Sequence, residues 1–224
     1  MAVLAGISVD YYTRIEQGRE RRPSRGVLDS LSDALHLPAD DRRHLHDLAA
    51  AIAHPPADGA PVPVTEVRPA ITAILASVRP SPAYVVNRIG DMINANPEGI
   101  NLFHGIADYP PGERNTVRYT FTHPRARTLF VDWDEAARSS VAQLRAANAA
   151  WPDDRYLTAL VDQVGAEAPE FRSLWEQHAV GRRRHTIKRF RHPDLGAVEF
   201  DFETMHLPDD QLRMSIYTSP RPLT

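Results

Sequence analysis

The first residues in this chain whose types and spacing carry chemistry are arginines. Arg14, Arg19, Arg21, Arg22 and Arg25 fall close together, against Glu16 and Glu20. Guanidinium groups at that density suit the neutralisation of phosphates, contacts that position a protein on a duplex without reading its sequence. The residues just before them have the form of two helices joined by a tight turn. Ala2 stands four residues ahead of Gly6, which lets the helices approach closely while the glycine makes the turn. Ser8 is placed to cap a second helix running to about Gln17, and Gly18 to end it in the left-handed conformation. On that helix Tyr11, Tyr12 and Arg14 can reach bases or phosphates, and Ile15 faces a core. The plainer reading of the same residues is a helical bundle with a solvated arginine face.

Other constellations lead nowhere firm. The chain has 10 His, and His178, His185 and His192 recur at seven, but no spacing of three or four joins them to a carboxylate. Glu203 and His206 are three apart in an expected strand and so point to opposite faces. His44 and His46 are two apart on an expected helix and do not face each other. No metal site is expected. Ser, His and Asp are present, but there is no Gly-x-Ser-x-Gly elbow, phosphate-binding Gly-Lys-Ser/Thr loop or dinucleotide glycine fingerprint. Asp201 and Glu203 share one strand face and read as the solvated side of an edge strand rather than a catalytic pair. Arg182-Arg183-Arg184 reads as a solvated loop. The chain is not expected to be an enzyme.

Composition sets the frame. The 224 residues carry 26 Lys+Arg against 29 Asp+Glu, a formal net charge of -3, so any nucleic-acid contact must come from a local patch. Lys188 is the only lysine. With Cys at 0, disulfides, thiolate zinc sites and cysteine nucleophiles are excluded. No signal peptide and no apolar run of the roughly 20 residues a membrane helix needs is apparent, so a cytoplasmic protein without a membrane partner is expected.

The elements that must position these groups can be read from spacing. After Ser24, a second capping residue, Val27, Leu28, Leu31, Ala34 and Leu35 recur at helical intervals, and Leu37-Pro38 ends that helix. Asp40 and Asp41 suit the start of the next, with Leu45, Leu48 and Ile52 on its buried face. The proline-rich run from His54 to Pro63 cannot sustain helix or central strand. The division expected is a helical domain over 1–53, a linker over 54–64 and a second domain over 65–220. That second domain should open with a helix from Arg68 to Val78 and strands over Ala83 to Arg88 and Asp91 to Asn96, paired through Ile89-Gly90. Pro97 then opens a short helix through Phe103. Helices follow over Asp132 to Ala150, Asp153 to Ala166 and Ser173 to Val180. Strands end the chain, over Thr186 to Arg191, Ala197 to Leu207 and Arg213 to Ser219. Val198, Phe200 and Phe202 alternate with Glu199, Asp201 and Glu203, the period of an antiparallel strand with one solvated face. The class is α+β, with the sheet of the second domain wrapped around one layer of helices.

The run from Ala2 to Leu37 resembles the Xre-type, lambda-repressor-like helix-turn-helix, and Ser8 through Arg19 with Arg22-Pro23-Ser24 is similar to one subset of it. The resemblance places Ser8, Tyr11, Tyr12 and Arg14 on the recognition helix. That family has a complete helix before the motif. This chain begins at Met1 inside the motif's first helix, so the N-terminal helix of the DNA-binding domain is expected to be missing.

The later strings resemble the ligand-binding domain of MmyB-like transcription regulators over about residues 65 to 220. They are His123-Pro124-Arg125-Ala126-Arg127 with Asp132-Trp133, then Pro169-Glu170-Phe171-Arg172-Ser173-Leu174-Trp175 with His178. Lys188-Arg189-Phe190-Arg191-His192-Pro193, Leu207-Pro208-Asp209-Asp210 and Tyr217-Thr218 complete the series. Asp91 to Phe103 separately resembles the opening of a PAS domain. The resemblance implies a PAS-like fold with an apolar pocket for fatty-acid-like ligands, a bound fatty acid being the one expected small-molecule occupant and no cofactor being expected. Residues that can line such a pocket are Val86, Ile93, Leu102, Phe103, Phe121, Leu129, Phe130, Trp133, Leu174, Trp175, Phe200 and Phe202. The plainer reading of each is a side chain that packs the core. An acyl carboxylate would draw on a cation or hydroxyl, for which Arg88, Arg118, Tyr119, Lys188 and Arg189 are the candidates. Together these features predict a regulator that binds double-stranded DNA as a homodimer and responds to an apolar effector. A ligand-binding or dimerisation module without DNA-binding activity is the alternative.

Overall fold

The computed structural model describes residues 2–17, 19–20, 22–37, 42, 45–46, 49, 60–177, 187–207 and 211–223. Gly18, Arg21, the Asp40-Asp41 start, His44, Leu48, Ile52, linker residues 54–59, His178, Arg182 to His185 and the Pro208 to Asp210 turn lie outside the described residues. The chain forms two compact units, one of Met1–Pro61 with Arg145–Arg155, the other built mainly of Val62–Leu144, Tyr156–Ala179 and Arg183–Thr224.

In the first unit the capping residues act as their positions predict. Helix α1 (Val9–Glu16) starts where the Ser8 hydroxyl accepts from the Tyr11 amide at 3.1 Å. Helix α2 (Arg25–Ala34) starts where Ser24 accepts from Val27 at 3.4 Å. Gly6 has φ +65°, the left-handed turn expected ahead of α1. Leu28 and Leu31 bury the apolar stripe of α2. Asp29 on α2 lies 2.9 Å from Nε2 of His46, and Asp33 pairs with Arg42, so the following helical residues are held to α2 by polar contacts as well.

The second unit is organised by a five-stranded antiparallel sheet. Its strands are β1 (Ala83–Val86), β2 (Met92–Ala95), β3 (Ile187–His192), β4 (Gly196–Leu207) and β5 (Leu212–Pro222), in the order β2-β1-β5-β4-β3. The last strand of the chain therefore inserts between the first strand and β4. Strand β4 is internal, which corrects the reading of Asp201 and Glu203 as an edge-strand face. Asp201 receives both Nη groups of Arg221 on β5, at 2.8 and 2.9 Å, so it is half of a cross-strand ion pair.

Helices lie on both faces, not in the single layer expected, because successive strand residues alternate and both alternating sets are apolar here. On one face Ile71 and Leu75 of α3 (Pro69–Ser77) pack on Ala83, Val85, Leu212 and Met214. The other face meets α4 (Pro97–Leu102), α5 (Thr116–Thr122) and α6 (Ala126–Leu129). The last two were not anticipated: α5 starts at Asn115, whose side chain accepts from Val117 and Arg118. Beyond them come α7 (Trp133–Ala150), α8 (Arg155–Glu167) and α9 (Pro169–Glu176), the last beginning at Pro169, ahead of the expected Ser173.

Asn96 locks this arrangement. It caps α4 through Gly99 N–H at 2.8 Å, accepts from Ala83 N–H at 3.0 Å, and donates to the carbonyls of Leu75 and Ser81 at 3.2 and 2.8 Å. All its hydrogen-bonding capacity is spent joining α3, β1 and α4. Gly99 permits the close approach: a Cβ there would stand 2.2 Å from the carbonyl oxygen of Ala83. Among the described residues no helix is long and apolar enough to cross a membrane, and no group of three or more His, Asp or Glu could hold a metal ion.

Candidate DNA-contacting and effector-binding sites

On the DNA-facing candidate surface, Ser8, Tyr11, Tyr12 and Arg14 share the short helix α1 and its cap, and Arg19 and Arg22 follow in the loop to α2. Ser8, Arg14, Arg19 and Arg22 are exposed, and Tyr11 and Tyr12 are half-buried. The loop is shaped by the Arg14 carbonyl, which accepts from Arg19 and Glu20 amides at 2.8 and 3.0 Å, and by the Glu20 carboxylate, which accepts from the Arg22 amide at 3.0 Å. The Tyr12 hydroxyl is engaged with Glu16 one turn on, which raises its pKa. Helix α1 buries none of its own residues, and Val3, Leu4 and Val9 are 83%, 75% and 64% exposed.

The apolar candidates divide into three places. Val86, Leu102, Phe103, Tyr119, Leu129, Phe130, Phe200 and Phe202 come together in one cluster between the sheet and α4 to α6. Phe103 lies at its centre, with Tyr84, Tyr119 and Phe130 edge-on at 5.2, 5.6 and 6.0 Å. Ile93 packs instead with the cluster beneath α3, on the opposite face of the sheet. The reason is a bulge: Met92 pairs with Val86 and Asn94 with Val85, so Ile93 is the extra residue between them and packs on the α3 side. Phe121, Trp133 and Trp175 belong to a second aromatic group built around the fully buried Phe171, at 5.1 Å from Phe121 and 6.0 Å from Trp175. In it Trp133 donates to the Thr120 carbonyl at 2.9 Å, and the Arg127 guanidinium lies 3.9 Å from the Trp133 ring centroid. Leu174 is half-buried on α9 beside Trp175.

The candidate carboxylate anchors have partners in the fold, although the Nε of Arg118 is buried with no hydrogen-bond partner among the described residues. Tyr119 donates to the His104 carbonyl at 2.7 Å. Arg118 donates to Gln163 at 2.8 Å. Lys188 pairs with Glu135 at 3.2 Å, and Arg189 grips Asp132 through two bonds of 2.8 and 3.0 Å. Arg88 is half-buried in the turn after β1 and has an interaction of its own.

Several members of the main cluster escape a reading by spacing. Phe190 stands between arginines in Lys-Arg-Phe-Arg, where the charges mask it, yet it is 1% exposed. Tyr84 and Tyr217 come from strands distant in sequence and put their hydroxyls 3.3 Å apart inside the cluster. Burial, then the neighbouring Tyr84, holds the Tyr217 hydroxyl well above its ordinary pKa, and burial likewise raises Tyr119. Both tyrosines are therefore neutral at physiological pH. The cluster is thus made of buried aromatic and aliphatic side chains with uncharged tyrosine hydroxyls among them.

Residues 67–222 match a family model described as the MmyB-like transcription regulator ligand binding domain, and residues 1–45 match one described as a helix-turn-helix domain. No curated protein matches the chain.

Proposed function

We propose, from the premise that this chain belongs to the family of MmyB-like transcription regulators, that it binds an operator through α1 and adjusts that binding to an apolar, fatty-acid-like effector held between the sheet and α4 to α6. One observation carries the reading: a helix-turn-helix match and a ligand-binding-domain match lie in one chain. The order β2-β1-β5-β4-β3, with helices packed on the sheet, supports a PAS-like sensor in residues 65–220. On this reading 1–53 is the DNA-binding domain and 54–64 the linker, the protein acts in the cytoplasm, and two copies present paired recognition helices to half-sites one helical turn apart. Ser8, Tyr11, Tyr12 and Arg14 approach base edges or phosphates, and Arg19, Arg21 and Arg22 neutralise phosphates. No catalytic role is assigned. An effector alters DNA binding only as far as its affinity differs between the DNA-binding and non-binding states.

A second reading, a ligand-binding or dimerisation module without DNA-binding activity, draws support from α1, which buries none of its residues. Selection of duplex DNA from a random pool by the full chain separates the two. Enrichment of a palindromic site, lost on Arg14→Ala, supports the first, and recovery of no preferred sequence supports the second.

A further inference from the structure

The inner face of the sheet carries a polar spot that the core does not use. On β5, Leu212, Met214 and Ile216 point toward α3, so Arg213, Ser215 and Tyr217 point to the other side. There Ser215 stands directly opposite Tyr84 on β1 and Thr204 on β4, with Tyr217 two residues along its own strand. Ser215 is 1% exposed, and its hydroxyl has no hydrogen-bond partner among the described residues. A buried hydroxyl left in that state is destabilising, so its retention calls for a reason. Beside it the Tyr84 and Tyr217 hydroxyls bond each other. Whichever donates, the pair spends one of its two O–H hydrogens internally and leaves the other uncommitted.

We propose that Ser215 and the Tyr84–Tyr217 pair hold the polar end of the effector, and that this end is an uncharged acceptor: the carbonyl oxygen of an ester, lactone or ketone on an otherwise apolar molecule. The inference rests on the effector reading above and narrows its ligand class from fatty acids to their uncharged relatives. The donors nearest Ser215, its own hydroxyl and those of Tyr84 and Tyr217, are neutral, suited to a carbonyl lone pair. A buried carboxylate needs a paired cation, and burying it without one is far costlier than burying a hydrogen-bonded carbonyl. Lys188 and Arg189 are committed to Glu135 and Asp132. Arg213 shares the face one row along, beside Val86 and His206; it has an interaction of its own, but its Nε is buried with no hydrogen-bond partner among the described residues, so tight binding of a carboxylate would assign the polar end to Arg213 instead.

Calorimetric titration of the full chain with methyl decanoate and with decanoate tests this, using wild type, Ser215→Ala, Tyr217→Phe and Tyr84→Phe. The ester is expected to bind wild type about tenfold or more tightly than the carboxylate, and each substitution to weaken the ester about five- to tenfold. Ligand-free Ser215→Ala should melt at or above the wild-type temperature, since the alanine removes an unpaired hydroxyl; it remains a test should a tyrosine variant fail to fold. Carboxylate binding as tight as ester binding overturns the proposal, as does ester affinity unchanged by Ser215→Ala and the tyrosine variants. Failure of wild type to bind either probe overturns the apolar-effector reading itself, and the anchor with it.

Discussion

The Nε2 of His192, at the end of β3, lies 2.7 Å from the carbonyl oxygen of Asn101 in α4. Its Nδ1 accepts the amides of Asp194 and Leu195 at 3.1 and 3.2 Å, so Nε2 carries the hydrogen and donates to Asn101. One ring, 2% exposed, thus closes the β3–β4 turn and ties it to α4. His192→Ala would leave two amides and a carbonyl without this partner. A loss of about 2–4 kcal/mol in urea unfolding is expected; a change within about 0.5 kcal/mol would show that the contact does not hold the turn.

The two faces of the sheet should separate in mutagenesis. Phe103→Leu removes the ring that Tyr84, Tyr119 and Phe130 meet edge-on, and should cost about 1–2 kcal/mol of stability while weakening effector binding. Ile93→Ala, beneath α3, should cost a similar amount and leave effector affinity within about twofold. Thermal melts with ligand titrations of the two variants check this, and equal losses of affinity would contradict it.

Acid should act on the β4–β5 ion pair. Arg221 binds Asp201 and holds its carboxyl below the ordinary value of 3.8. A carboxyl depressed in the folded state contributes fully above its unfolded value, and the contribution is lost as pH falls through the lower, folded one. The difference in melting temperature between wild type and Asp201→Asn should be present at neutral pH and close below about pH 4. A gap that stays constant through that range would contradict this account of the pair.

On the DNA side, Arg14→Ala, Arg19→Ala and Arg22→Ala should each weaken binding and reduce the magnitude of the salt slope by about one where the arginine meets a phosphate. Anisotropy with labelled duplex at several salt concentrations measures it. Slopes identical to wild type in all three would remove the arginines from the interface.

How much of this was legible in the sequence differs by element. Ser8 and Ser24 announce their helices because capping is local, and the alternation through Val198, Phe200 and Phe202 announces β4. Strand order was not legible: nothing near residues 212–222 says that β5 will pair with β1, because that pairing is made across more than a hundred residues. The same distance hides the Tyr84–Tyr217 contact. Ile93 was misplaced beside Val86 because the bulge between Val85 and Val86 decides a face that composition cannot. The short helices α5 and α6 carry too few residues for a periodic signal. Lys188 and Arg189 looked like carboxylate anchors because only the fold brings Glu135 and Asp132 to them.

Whether the second unit holds an effector can be read from native mass spectrometry of the purified full chain. An added mass of one apolar small molecule per chain, released on denaturation, is expected, or, if the protein emerges empty, a melting temperature raised by ten- to sixteen-carbon fatty acids or their methyl esters on the order of several degrees. An unliganded mass together with no thermal shift from either series would contradict an effector-binding role for the second unit.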